Sequence, residues 1–469
     1  MSNPQKITVV GAGLVGSLLA IFLARRGFSV EVLERRPDMR KHAISAGRSI
    51  NLAISTRGIN ALKKLNLDQE ILRYAIPMKG RMVHSQTGEL NFQPYGTEES
   101  DYINSISRAT LNKVLMDQAE STGLVTFRFN TKVSGIEFDT TTLELVDEQS
   151  GQTEKHPAEI VIGTDGSASA IRQSMMNLPG HDSTQSILDY GYKELVIQPA
   201  EGGGFRLEKN ALHIWPRGTY MLIALPNFEG SFTCTLFLPF KGSQSFEKLV
   251  DGGAVSAFFN EQFPDAVPLL SDLEGTFFEN PTGTMTTIKC QRWNVGGKVL
   301  LLGDAAHGIV PFFGQGMNCG FEDCTVLEET IDSFTKGGVI DWQGLFDELS
   351  KERVPNTNAI ADMAVENFVE MRDKVGDANF VLEKTVEKIL QKKFPGRYIS
   401  RYGLVTFSNV PYVVALEAGI RCEHILKQLC AGLTDPENVD LRLAETLIEK
   451  NLAPLLVQYA KQVEAIGAH

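Results

Sequence analysis

At 469 residues the chain has the length of two or three domains of roughly 150 residues each, and a 43% hydrophobic content is ample for a large core. Its 45 basic against 57 acidic side chains give a net charge of −12, which argues against a basic surface for nucleic acid or anionic lipid. The six cysteines (Cys234, Cys290, Cys319, Cys324, Cys422 and Cys430) form no C-x-x-C pair and lack the histidine spacing of a zinc site, so buried, reduced thiols and no metal are expected.

Ile7 to Ala24 carries no charge and is followed by Arg25 and Arg26, in the manner of a signal peptide. It is marginal for crossing a bilayer and contains Gly11, Gly13 and Gly16 at a functional spacing. Ile7–Val10 reads as a short buried strand. Val15, Leu18, Leu19, Phe22 and Leu23 then recur at helical spacing up to Gly27, and Ser29–Glu34 alternates as a second strand. In this β-α-β context G-x-G-x-x-G points to a dinucleotide. Gly11 permits the tight turn, Gly13 lets a pyrophosphate reach the backbone, and Gly16 lets the helix pack on the sheet. Glu34 lies where a carboxylate can accept hydrogen bonds from ribose hydroxyls, and it would repel a 2′-phosphate. The motif alone does not choose between FAD and NAD.

Farther on, Phe127–Phe138 and Thr142–Asp147 read as antiparallel strands, and Ile160–Ile162 runs into the loop GTDG. Leu212–Trp215, Tyr220–Leu225 and Ser231–Leu238, separated by turns, read as a meander with one face against solvent or ligand. Val299 begins another buried strand, VLLLGD. After Ile340 the periodicity is almost wholly helical, ending with Leu441–Val463. The outline is a nucleotide-binding domain interrupted by a sheet domain and closed by helices. No second glycine-rich strand-turn-helix is visible.

Two further motifs decide the cofactor. IVIGTDGSASAIR supplies Asp165, Gly166, Ser169 and Arg172, and VLLLGDAAHGIVPFFGQGMN supplies Gly303, Asp304, Pro311, Gly314, Gln315, Gly316 and Asn318. With the first motif, these resemble the group A flavoprotein monooxygenases, the single-component FAD aromatic hydroxylases, over about the first 330 residues. The resemblance implies an α/β fold. A Rossmann-like FAD-binding domain (1–75, 105–178 and 290–335) is interrupted by a β-sheet substrate domain (76–104 and 179–289) and followed by a C-terminal helical domain (336–469). It also implies FAD contacts. Asp304 would hold the ribityl chain, and Gly316, Met317 and Asn318 would open a helix whose positive end faces the flavin pyrimidine. Arg108 would reach flavin phosphate or ring, Val133 would meet the adenine through its main chain, Ala53 would run beside the flavin, and Arg35 would join Glu34 among the cofactor contacts. His307 invites a reading as a base, but a loop hydrogen bond explains its place equally well, so no catalytic side chain is expected.

GRMVH (Arg81), FQPYG (Tyr95), PFFGQGMN, NFVEM and SRYG (Tyr402) more closely resemble the kynurenine 3-monooxygenase family, over nearly the whole chain. The family implies that Arg81 and Tyr95 grip the substrate α-carboxylate and that Asn367 and Tyr402 also touch substrate. An arginine suits a carboxylate because it can donate two parallel hydrogen bonds. Met371, four residues beyond Asn367 on the same helix face, joins Phe312 and Phe313 as candidates for a dry wall around the ring. The implied reaction is hydroxylation of L-kynurenine to 3-hydroxykynurenine with NADPH and O₂ in tryptophan catabolism. The polar tail QYAKQVEAIGAH departs from the anchoring helix of eukaryotic members, so a soluble, cytoplasmic, bacterial-type form with no membrane or nucleic-acid partner is expected. A hydroxylase for another aromatic acid, a flavin-dependent reductase of isoprenoid double bonds and a non-catalytic FAD-binding protein share the FAD motifs. The Arg81–Tyr95 pair argues against the reductase, and the intact PFFGQGMN loop against the non-catalytic protein.

Overall fold

The computed structural model describes residues 5–41, 51–96, 101–370 and 378–464. β1 (Lys6–Val10) turns at Gly11 into α1 (Leu14–Arg25), and Gly27 returns the chain to β2 (Ser29–Leu33). Ile7, Val9 and Leu18 are fully buried, so the charge-free stretch that imitates a signal peptide is a core strand and helix. β3 (Asn51–Ile54), α2 (Thr56–Lys64), α3 (Asp68–Leu72) and β4 (Ile76–Met78) follow. Next come the hairpin β5 (Gly80–His84) and β6 (Leu90–Pro94), then β7 (Ile103–Ser107), which leads directly into α4 (Arg108–Ser121).

β8 (Val125–Arg128), β9 (Thr131–Glu137), β10 (Thr142–Asp147), β11 (Thr153–Pro157), β12 (Ile160–Gly163) and α5 (Ala170–Met175) continue the chain. The single strand expected over Phe127–Phe138 is therefore two. Asn130 adopts φ +56°, a left-handed conformation in which a strand cannot continue and which asparagine tolerates better than most residues. β8 consequently pairs parallel to β2, while β9 starts a separate antiparallel sheet with β10 and β11.

The meander is present as β13 (Ser183–Ile197), β14 (Ala211–Pro216), β15 (Met221–Pro226) and β16 (Phe232–Pro239). α6 (Gly252–Gln262), α7 (Leu273–Glu279), β17 (Gly283–Cys290), β18 (Asn294–Val295) and β19 (Val299–Leu301) come next. The rest is mainly helical: α8 (Gly316–Ile331), α9 (Trp342–Val369), α10 (Ala378–Lys393), α11 (Arg401–Phe407), α12 (Tyr412–Leu429), α13 (Leu441–Asn451), α14 (Ala453–Leu456) and α15 (Ala460–Glu464). Leu441–Val463 is not one helix, because Pro454 lacks the N–H an uninterrupted helix would need and instead starts a new one. No helix among the described residues is long and apolar enough to cross a membrane.

The first sheet runs β18-β19-β12-β1-β2-β8, and β19, β12, β1, β2 and β8 are mutually parallel. Its buried core includes Val9, Leu18, Val161, Leu300 and Phe321. A second sheet runs β17-β13-β16-β15-β14-β5-β6. Strand alternation gives it two different faces. Trp215, Leu222, Cys234 and Leu236 pack with Phe258, Phe259 and Phe263 of the α6 region on one side, while Ile214, Ile223, Thr235 and Phe237 line a cavity on the other. A third small sheet, β3-β7-β4, lies beside that cavity.

Candidate active site

One continuous cavity of about 340 Å³ runs from the glycine turn to the second sheet. At one end lie Gly13, Ala53, Arg108, Thr164, Asp304, Gly316 and Met317; at the other lie Arg81, Tyr95, Phe312, Phe313 and Tyr402. The sequence thus separates by hundreds of residues what the fold brings to one space.

At the first end the glycines divide their work as expected. Gly11 has φ +100°, and a Cβ there would come within 2.8 Å of the Thr164 carbonyl oxygen. A Cβ on Gly16 would lie 2.0 Å from the Gly11 carbonyl oxygen, so α1 can approach the turn only without one. At Gly13 a Cβ would meet nothing within 4 Å and would enter the cavity edge, a cradle left open for a ligand. The first turns of α1 and α8 contain no acidic residue and no side-chain cap, so their N–H groups remain available to an anion. Glu34 is buried and accepts from the Ala12 N–H at 2.9 Å and from Arg36 Nε at 2.8 Å. Burial works against its charge, but these bonds win and hold the carboxyl below its ordinary range. Arg36 is the basic neighbour fixed on Glu34, and Arg35 and Arg36 are both exposed. This set of residues fits an FAD.

Of the other predicted cofactor residues, Ala53, Arg108, Asp304, Gly316 and Met317 line the same space, and Val133 does not. Ala53 lies on β3, and its carbonyl accepts from Asn318 Nδ2 at 2.9 Å. Asn318 also donates to the Gly314 carbonyl and accepts from the Ser55 N–H, so its side chain clasps the cavity walls together. Asp304 and Met317 line the cavity, while Val133 sits in β9 with its side chain buried. Arg172 joins two motifs by donating to the Ala305 carbonyl at 2.9 Å, while Ser169 caps α5.

At the other end, the Arg81 guanidinium lies 5.6 Å from the Tyr95 ring centre and 5.2 Å from that of Tyr402. The two phenol rings stack at 5.5 Å, and Phe313 stacks on Tyr402 at 5.7 Å. Arg81 Nε and the Tyr95 hydroxyl are buried without a hydrogen-bond partner among the described residues. Buried donors left this way are costly, and an acceptor placed between them would satisfy both. Burial raises the Tyr95 phenol, and Tyr402 adds to this, so the hydroxyl keeps its proton as a donor. Phe312 stacks on Phe368 at 4.2 Å and meets Phe237 at 5.0 Å, forming an apolar wall. Asn367 Nδ2 donates to the Phe312 carbonyl at 2.7 Å, which ties α9 to that wall. Met371 lies outside the described residues.

His307 does not reach the cavity wall. It is fully enclosed, with Nε2 2.5 Å from Asp323 Oδ2. Burial opposes its charge, but Asp323 raises it well above the ordinary histidine range. Arg353 donates to Asp323 at 2.8 Å and pairs with Glu322, which also binds Arg57. Arg57 covers the Tyr412 ring and donates to carbonyls of Val405 and Val410. This buried network, spanning α2, α8, α9 and the segments around α11 and α12, carries no local spacing by which the sequence could announce it.

The chain matches the family described as FAD binding domain over residues 5–219 and 260–364. It is 54% identical to the kynurenine 3-monooxygenase of Myxococcus xanthus over 98% of each chain. It is 45% identical to that of Dictyostelium discoideum over 96% of this chain and 98% of the other. Two solved structures are similar in fold. Tetrameric 2-methyl-3-hydroxypyridine-5-carboxylic acid oxygenase has a TM-score of 0.64 at 19% identity, covering 83% of this chain and 98% of that one. P. aeruginosa PqsL in complex with 2-aminobenzoylacetate has a TM-score of 0.62 at 19% identity, covering 79% and 97%. The fold is that of the FAD-binding aromatic hydroxylases. Within that class, the chain belongs to the kynurenine 3-monooxygenase family.

Proposed function

We propose that this chain is an FAD-dependent monooxygenase that hydroxylates L-kynurenine to 3-hydroxykynurenine with NADPH and O₂. The observation that carries the substrate is the unsatisfied Arg81 Nε beside the unsatisfied Tyr95 hydroxyl, buried on one wall of the cavity. An amino acid's carboxylate supplies the acceptors both donors need. Arg81 gives charge and direction, Tyr95 a neutral O–H, and Tyr402 stacks behind Tyr95 to fix its plane. Bound FAD supplies the redox chemistry, taking reducing equivalents from NADPH and activating O₂.

Gly13 and the α1 N-terminus would hold the pyrophosphate, Glu34 the ribose, and Asp304 the ribityl chain. Arg108, Ala53, Gly316 and Met317 would border the flavin, with the Val133 backbone near the adenine. Asn318 acts by holding Ala53 and Gly314 in place. Phe312 and Phe313 exclude water around the substrate ring. Asn367 is proposed to serve the substrate by fixing the Phe312 carbonyl. The ring's own amino group activates the neighbouring carbon, so no side chain need act as a strong base. A cytoplasmic enzyme without a membrane or nucleic-acid partner is part of this reading, supported by the net charge of −12.

Mass identification of the product formed from L-kynurenine, NADPH and O₂ tests the activity. Losing charge-assisted hydrogen bonds worth about 1.5–3 kcal/mol, Arg81→Ala should raise the kynurenine KM by about 10–150-fold while the protein stays yellow. A variant that stays yellow and keeps the wild-type kynurenine KM, or one that loses its flavin, would overturn the role given to Arg81.

A further inference from the structure

Tyr412 reaches from the C-terminal helices to the loop that opens α8. It is the first residue of α12, it is fully buried, and its hydroxyl donates to Gln315 Oε1 at 3.0 Å. Gln315 is buried too and immediately precedes α8, while Gly314, Gly316 and Met317 on either side of it line the cavity. Its Nε2 donates to Ser55 Oγ at 3.3 Å, so the amide is strung between the start of α12 and the start of α2.

The direction of that amide matters. Gln315 occupies the N-cap position of α8, where a side-chain oxygen ordinarily turns back to accept from the second or third N–H of its own helix. Here no side chain caps α8, and no acidic residue lies in its first turn. A Cβ on Gly316 would find nothing nearer than the Ile309 carbonyl oxygen at 3.9 Å, so that turn borders open space. Tyr412 is itself held in place. The Arg57 guanidinium lies 3.8 Å from its ring centre and is committed to Glu322 and to the carbonyls of Val405 and Val410. Among the described residues, Tyr412 is the one donor to Gln315 Oε1.

We propose that Tyr412 is a positioning residue for the flavin: by holding Gln315 Oε1 it keeps that acceptor off the first turn of α8 and leaves the N–H groups there for negative charge on the flavin pyrimidine. Without the hydroxyl, a buried acceptor loses its partner, which is costly. The free N–H groups of its own helix are the donors that an N-cap side chain can reach. An amide oxygen turned toward them competes with the flavin. Reduction places negative charge on the pyrimidine, so the reduced form loses more from this competition than the oxidised form does. The midpoint potential of bound FAD must then fall when the hydroxyl is removed.

This inference rests on the proposed FAD site, with the pyrimidine at the start of α8. The test is the midpoint potential of the flavin in the full-length holoenzyme, measured by equilibration with a reference dye. Tyr412→Phe keeps the ring under Arg57 and removes the hydroxyl alone. Relative to the oxidised form, reduced flavin should be held about fivefold less well, a shift of about −20 mV for the two-electron couple. The shift must depend on Gln315: in a Gln315→Met background, which has no amide oxygen, adding Tyr412→Phe should change that ratio by less than about 1.5-fold. A Tyr412→Phe enzyme with the wild-type potential, or a shift that persists in the Gln315→Met background, overturns the proposal. Should Tyr412→Phe not fold, Ser55→Ala frees the other end of the amide and should lower the same ratio by at least about twofold, and an unchanged potential there overturns the proposal equally. A yellow protein whose potential ignores these substitutions sinks only the Tyr412 role, whereas a protein that binds no flavin sinks the underlying reading.

Discussion

Asn318→Ala separates a clasp from a ligand contact. The Asn318 side chain is fully buried; Oδ1 accepts from the Ser55 N–H, and Nδ2 donates to the Ala53 and Gly314 carbonyls, each at 2.9 Å. Alanine leaves the buried Ser55 N–H and the part-buried Ala53 and Gly314 carbonyls without this partner, at about 1–3 kcal/mol for a fully buried group and less for the two at the cavity edge. Gly58 faces the same amide closely, so little space exists for a replacing water. With one full penalty and two reduced ones the loss is about 2–4 kcal/mol, a large part of a typical total of about 5–15 kcal/mol. Because Ala53 and Gly314 both border the cavity, FAD affinity should fall at least about tenfold alongside stability, the equivalent of about 1.4 kcal/mol. Guanidinium unfolding of the holoenzyme gives the first quantity, and flavin fluorescence on dilution gives the second. A variant within about 1 kcal/mol of wild type that binds FAD unchanged would refute the reasoning.

Gly16→Ala places a methyl 2.0 Å from the Gly11 carbonyl oxygen, so it should lower the melting temperature and release flavin; Gly13→Ala, with nothing near its Cβ, should fold normally and weaken FAD alone, as thermal melts and flavin content will show. Arg353→Met leaves Asp323 and Glu322 short of a buried cation and should cost about 3–5 kcal/mol in denaturant unfolding, with a near-neutral result counting against the network. His213 is held down at about 4 by burial, so between that value and the ordinary 6.5 the unfolded chain binds a proton that the folded chain does not. Stability should therefore decline as pH falls through this window, and His213→Gln should flatten the decline in unfolding midpoints.

The cofactor end was legible because its signals are local. Gly11, Gly13 and Gly16 lie within one turn and helix start, and each answers to a different backbone constraint. Arg81 and Tyr95 share one hairpin region, but Tyr402 lies about three hundred residues on, so only family resemblance could assemble the three. Asn130 was read through, since its left-handed conformation is set by the separate sheets that β8 and β9 enter rather than by composition nearby. The family resemblance implies ligand contacts for Asn318 and Asn367; that both side chains also donate to backbone carbonyls of cavity walls is a partner choice that only tertiary placement determines. The buried chain from Arg57 to His307 was invisible for the same reason.

The parallel sheet imposes an order on biosynthesis. β19 is made almost three hundred residues after β1, and between them the ribosome must deliver the entire β13–β16 meander. A nascent chain stopped before Val299 lacks the strand that carries the backbone into Asp304, so flavin capture has to be a late event. Such delayed closure leaves β12 with an open edge during translation, where shielding against association with other chains is most needed.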